Sequence, residues 1–180
     1  CMVIGAGAGI GGNVAKRFAK EGFHSVLCRR SNQHGLDDLV RDIEKEGGTA
    51  SGFLINAVEP ESIEKCVDKV ENEIGHIYSL VFNLGAQVGN KSLSETTYKI
   101  FELGWRLATF SLFRTASSVL PKMEKRGKGS FLVTTSTAAF RGNAGQHSHA
   151  SAMGGRRMLC QSLNAEFASK GIHIVHILVD

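Results

Sequence analysis

The sequence predicts a doubly wound α/β domain, a parallel sheet with helices on both faces, in three α/β/α layers. Three observations predict it. Short apolar runs alternate with helical segments along the whole chain, and strands alternating with helices of this length build βαβ units around a parallel sheet. The helices carry their boundary signals: Glu59-Pro60-Glu61 puts proline and acid at a helix start, while Gly22, Gly47, Gly75, Gly127 and Gly171 sit where helices should stop. The first apolar run ends in a glycine cluster that leads straight into a helix. With 180 residues, 42% hydrophobic and 21% charged, residues 1–180 can bury a sizeable core as one domain.

In chain order, the first strand, Cys1–Ile4, meets the turn Gly5-Ala6-Gly7-Ala8-Gly9-Ile10-Gly11-Gly12, and an amphipathic helix follows over Gly11–Glu21. The next strand, His24–Cys28, leads to a helix over Gly35–Gly47, and the strand Ala50–Ile55 to a helix over Pro60–Ile74. After the strand Ile77–Phe82 comes a long helical stretch, Ser94–Arg126, with apolar residues at Phe101, Trp105, Ala108, Leu112, Ala116, Val119, Leu120 and Met123, close to a helical period. Gly104 costs such a helix about 1 kcal/mol against alanine, so it marks a break or a close packing point. The strand Ser130–Thr135, a helix over Ala150–Lys170 and the strand Ile172–Val179 complete the pattern. Gly154 and Gly155 point to a close helix–helix contact or to a delayed start of the last helix. Both ends of the chain are expected to be trimmed, because it opens on a strand and stops at Asp180 directly after one.

Composition excludes several classes of function. The formal net charge is +4 and the isoelectric point about 9.0, but the basic cluster Lys122–Lys128 lies at a helix C-terminus, where cations complement the dipole. No stretch interleaves basic and aromatic residues, so no nucleic-acid partner is expected. Cys1, Cys28, Cys66 and Cys160 are scattered without paired spacing, which fits reduced thiols in the cytoplasm rather than disulfides or a zinc site. His147 and His149 lack a nearby carboxylate or cysteine, and His173 and His176 fall on opposite faces of a strand, so no metal is expected. The most apolar stretch, Trp105 to Leu120, is interrupted by Arg106 and Arg114 and is too short to span a bilayer.

The glycine turn carries the chemistry. Glycines let the backbone bend sharply and approach a phosphate, and the free amides of a helix start face its charge. Gly5, Gly9, Ile10 and Gly11 are therefore candidate contacts for the pyrophosphate of a dinucleotide, as in a Rossmann-type sheet. After the second strand comes Cys28-Arg29-Arg30-Ser31, without the acid that would bind a ribose diol. Arg29 and Arg30 suit the additional phosphate of NADP, with NAD as the alternative cofactor and two solvated arginines as the plain reading. Asn56 ends the third strand, where a side-chain amide can meet an adenine edge. Asn83 ends the fourth within Leu80-Val81-Phe82-Asn83-Leu84-Gly85-Ala86, at the expected switch point.

At these residues the chain resembles the short-chain dehydrogenase/reductase family, over essentially its whole length. Gly5, Gly9 and Gly11 match the family's G-x-x-x-G-x-G loop, Asn83-Leu84-Gly85 its Asn-Ala-Gly motif, and Phe131 to Ser136 the strand that ends in its catalytic serine. Gln161 to Glu166 and Gly171 to Ile174 are similar to its last helix and following strand. Ile4 replaces a usual threonine and Asn56 a usual aspartate. The resemblance implies hydride transfer between a nicotinamide and a small carbonyl or alcohol, by an Asn-Ser-Tyr-Lys tetrad. It also implies a homodimer or homotetramer built on the last two long helices.

On the family's spacing from Ser136, the tyrosine position falls on His149, the lysine position on Met153 and the asparagine position near Ala108; only the serine is retained. Two readings follow. In one, His149 replaces the tyrosine as acid/base. A tyrosine with a pKa of about 10 needs a cation beside it at neutral pH and a histidine at about 6.5 does not, so loss of the lysine with the tyrosine is coherent. In the other, the site is retired and the protein binds nucleotide or serves as a scaffold. Arg157, one turn beyond Met153, is either a cation brought toward the cofactor or a surface arginine.

Overall fold

In the computed structural model, residues 1–85 and 89–179 are described; Ala86, the last residue of the switch-point stretch, and Asp180 lie outside them. Strand β1 (Met2–Ile4) is wholly buried and leads through the glycine turn into helix α1 (Ile10–Lys20). The order continues with β2 (His24–Arg29), α2 (Gln33–Lys45), β3 (Thr49–Leu54), α3 (Ser62–Glu73) and β4 (Ser79–Phe82). It ends with α4 (Tyr98–Trp105), a π-helical turn (Arg106–Phe110), α5 (Ser111–Arg126), β5 (Gly129–Thr135), α6 (His147–Phe167) and β6 (Ile172–Leu178).

The strands form one parallel sheet in the order β3-β2-β1-β4-β5-β6. Its central register pairs Ile4 with both Cys28 and Phe82, and Phe82 with Val133. One face packs on α3, α5 and α6 through Met2, Ile4, Phe82, Phe131, Val67, Leu112 and Cys160. The other packs on α1 and α2 through Val3, Leu27, Val81, Ala15, Leu36 and Ile43. This is the expected doubly wound arrangement. The chain winds outward in opposite directions from β1 and β4, so the crevice above their C-terminal ends receives both the glycine turn and Asn83.

Element bounds shift from expectation by up to four residues, the long helix starting at Tyr98 and not Ser94, and three departures have a physical reason. The fourth strand starts at Ser79, not Ile77, because side chains claim the backbone of Ile77: its N–H donates to Glu71 at 2.9 Å and its carbonyl accepts from Arg126 at 3.1 Å. The long helix is continuous, but the π-helical turn at Arg106–Phe110 resets its facing. Ala108, Leu112, Ala116, Val119, Leu120 and Met123 are buried as the period requires, whereas Phe101 and Trp105, ahead of the turn, remain exposed. The last helix begins at His147, three residues early. Ser148 is buried there and donates to the carbonyls of Ile100 and Phe101, both at 3.2 Å. Gly104 leaves the room this needs, since a Cβ on it would lie 2.2 Å from Ser148 Oγ. Gly155 likewise rests against Thr109, while a Cβ on Gly154 would meet nothing.

Candidate active site

The glycine turn is held by the neighbouring strands. The amides of Gly5 and Ala6 both donate to the Cys28 carbonyl at 2.9 Å. Gly5 has φ +93°, and a Cβ on it would lie 2.5 Å from the Asn83 carbonyl oxygen; a Cβ on Gly11 would lie 2.2 Å from that of Gly5. These two glycines let three backbone segments touch. Gly7 and Gly9 differ, because a Cβ on either would meet no protein atom within 4 Å. Helix α1 has no side-chain cap and no acid in its first turn, so its bare N–H groups keep their positive end toward that space. A cradle of this kind takes a phosphate.

Asn83 ties this turn to the rest of the site. Its amide donates to the Gly5 carbonyl at 3.1 Å, and its oxygen accepts from Thr134 Oγ1 at 2.8 Å. The side chain is thus committed to bracing the turn, although the residue lines the cavity. That cavity, of about 650 Å³, runs past Gly5, Gly9, Ile10, Gly11, Asn83, Ser136, Asn143, Gln146 and His149.

Within it the structure brings Ser136 and His149 together. Ser136 follows the last residue of β5, His149 lies in the first turn of α6, and Ser136 Oγ is 3.4 Å from His149 Nε2. This is a long contact of the kind that tightens when a ligand arrives. His149 Nδ1 is buried and has no hydrogen-bond partner among the described residues. One turn further along α6, Met153 is buried and its sulfur accepts from Thr135 Oγ1 at 3.4 Å. A hydroxyl beside an imidazole can orient a bound oxygen and exchange a proton with it.

The remaining sequence candidates do not line this cavity. Arg29, half-buried, ends β2 with its guanidinium against the first turn of α2, and Arg30 is exposed beside it. Asn56 is engaged by its own turn: its amide donates to Glu59 at 2.7 Å and its oxygen accepts from the Val58 amide at 3.4 Å. Arg157 takes the surface alternative, stacked 4.2 Å from the centre of the Phe140 ring. Among the described residues, no group of histidines, cysteines and acids could hold a metal ion.

The buried cation of this site is Arg156, which the sequence reading passed over. It lines the cavity yet is only 1% exposed. Its guanidinium donates to the carbonyls of Ala108 at 3.1 Å, Thr134 at 2.8 Å and Leu84 at 2.9 Å, above the Phe82 ring at 5.0 Å. Burial lowers its pKa to about 10, so it stays charged at neutral pH. His149, Met153 and Arg156 fall at i, i+4 and i+7, within one face of a helix.

Residues 1–179 match the family model for short chain dehydrogenases. The 7alpha-hydroxysteroid dehydrogenase of Escherichia coli K12 is 30% identical over 175 residues, 97% of this chain and 68% of that protein. The 3-oxoacyl-(acyl-carrier-protein) reductase of the same strain is 29% identical over 176 residues, 96% of this chain and 69% of that one. Among solved structures, a short-chain dehydrogenase from Rhodopseudomonas palustris superposes with a TM-score of 0.94 at 34% identity, over 99% of this chain and 83% of its own. One from Burkholderia xenovorans superposes with a TM-score of 0.91 at 25% identity, over 98% and 72%.

Proposed function

The chain belongs to the short chain dehydrogenase family, and on that premise we propose that it is an NAD(P)-dependent oxidoreductase acting on a small carbonyl or alcohol, with Ser136 and His149 handling the proton. One observation carries the reading: the open phosphate cradle and the Ser136–His149 pair line the same cavity.

When bound, the nicotinamide supplies or takes up the hydride. The chain's own residues do the rest. The amides of Gly9, Ile10 and Gly11 at the start of α1 would hold the pyrophosphate, and Gly7 and Gly9 would leave it room. Ser136 Oγ orients the substrate oxygen, and the imidazole of His149, in reach of that hydroxyl, gives or receives its proton. Asn83 and Thr134 keep the turn and the end of β5 in register. NADP is the preferred cofactor in this reading, because Arg29 and Arg30 stand at the end of β2 where no carboxylate does. The four thiols are free, and among the described residues no helix is long and apolar enough to cross a membrane, which supports a cytoplasmic location. Phe101, Trp105, Phe110 and Phe113 are exposed along α4 and α5, with Trp105 and Phe110 stacked at 5.4 Å, and this apolar stripe supports a homodimer or homotetramer.

A specific observation favours a second reading, a catalytically silent nucleotide-binding or scaffold protein. Met153 places a thioether at the lysine position, and among the described residues His149 Nδ1 has no partner to set its tautomer. Titration with NADPH and NADH, followed by assays of carbonyl and alcohol panels with wild type and Ser136→Ala, separates the two. The oxidoreductase reading expects binding, and turnover that falls roughly tenfold or more in the variant. Tight binding with no turnover of any panel member would leave the silent protein.

A further inference from the structure

We propose that Arg156 makes the cavity discriminate between the two redox states of a nicotinamide, favouring the uncharged reduced ring over the cationic oxidised one. This rests on the cavity binding that dinucleotide.

Arg156 is a permanent charge in the cavity wall with no carboxylate to neutralise it; among the described residues it joins no ion pair. Three backbone carbonyls take three of the five guanidinium N–H groups. They come from the π-helical turn, from β5 and from the segment after β4, and fix the plane so that it cannot swing out to water. Carbonyl dipoles solvate the cation without cancelling its charge. Its neighbour Cys160 adds no negative charge, because burial pushes that thiol up to about 11.

The geometry aims the field at the reacting end of the site. His149, Met153 and Arg156 share one face of α6, and all three line the cavity with Ser136. Met153, buried at 2% exposure, lies between His149 and Arg156 in the helix and lines the cavity with an apolar side chain. Charge screening across such a wall is weak compared with bulk water. An oxidised nicotinamide carries a positive ring into this field and is repelled; the reduced ring is neutral and is not. Because binding and reduction are linked, tighter binding of the reduced form makes the bound oxidised form the stronger hydride acceptor. The site would therefore be biased toward alcohol oxidation.

The test is direct binding of NADPH, NADP+ and an adenosine bisphosphate lacking the nicotinamide half, to wild type, Arg156→Lys, Arg156→Met and Arg156→Gln, with thermal melts to confirm folding. Wild type is expected to bind NADPH roughly tenfold more tightly than NADP+. Arg156→Lys should keep that preference. Arg156→Met and Arg156→Gln should collapse it toward equality while leaving the fragment's affinity unchanged. A purely structural arginine predicts otherwise: all three ligands weaken together and the ratio stays, which would overturn the proposal. So would equal binding of NADPH and NADP+ by wild type, a result that needs no variant to fold. If wild type binds none of the three, the dinucleotide reading itself falls, and this inference with it.

Discussion

Ser136 Oγ stands 3.4 Å from His149 Nε2, a meeting made by two element ends: β5 stops at Thr135 and α6 starts at His147. The pairing depends on how α6 begins. Ser148, buried beside His149, anchors that first turn to α4 by donating to Ile100 and Phe101. The Ser136–His149 pair is thus placed by a packing contact behind it.

That contact makes the first prediction. Gly104→Ala would put a methyl 2.2 Å from Ser148 Oγ, and a strained close contact of this kind costs about 1–3 kcal/mol. Chemical denaturation should show the loss, together with reduced turnover from a displaced His149. Adding Ser148→Ala removes the clashing oxygen and leaves a 3.4 Å carbon contact, so the double variant should recover most of the stability. A double variant no more stable than Gly104→Ala would contradict the packing account.

The glycine turn gives a contrasting pair. Gly11→Ala drives a Cβ to 2.2 Å from the Gly5 carbonyl, so both the fold and nucleotide binding should suffer. Gly7→Ala meets no protein atom within 4 Å; it should melt like wild type and still bind dinucleotide roughly tenfold or more weakly, because the methyl takes space the phosphate needs. Melting curves and fluorescence titration together check both halves. Unchanged affinity in Gly7→Ala would move the phosphate elsewhere.

Acid should weaken the fold through Glu71. Burial pushes this carboxyl up, but bonds from the Ile77 amide, His76 and Arg126 outweigh it and hold the pKa below the usual 4.5. A depressed carboxylate stabilises the fold above its unfolded pKa, and that contribution is lost as pH falls through the folded value. Wild-type unfolding free energy should therefore drop below about pH 4.5. Glu71→Gln should be about 2 kcal/mol less stable at neutral pH and show a flatter acid dependence. Parallel pH profiles would remove Glu71 from the account.

Cofactor choice is separable from these. Arg29→Ala should weaken NADPH binding roughly tenfold and leave NADH binding unchanged, since only the former carries the additional phosphate that the guanidinium would meet. Equal effects on both nucleotides would show that Arg29 acts on α2, whose first turn it touches.

The sheet was legible because its strands are short apolar runs set off by glycine, and nothing local competes with that pattern. Ser136 and His149 were legible only through the resemblance to the family, whose spacing picks out both positions. What escaped notice depends on side chains reaching across the chain. Ile77 reads as strand until Glu71 and Arg126 take its backbone. Phe101 and Trp105 read as core until the π-helical turn rotates them outward. Asn56 reads as a free amide until Glu59 is seen to hold it. Arg156 and Arg157 are adjacent in sequence and opposite in fate, one buried under three carbonyls and the other on the Phe140 ring.

The central claim is that His149 moves the proton in a working oxidoreductase. The most direct measurement is the turnover of NADPH against a carbonyl panel and of NADP+ against an alcohol panel by wild type and His149→Phe, with NADPH affinity measured on both. The expected result is turnover by wild type, a fall of roughly 10²–10⁴-fold in the variant, and unchanged affinity. Equal turnover in the two proteins, or none in wild type despite tight binding, would contradict it.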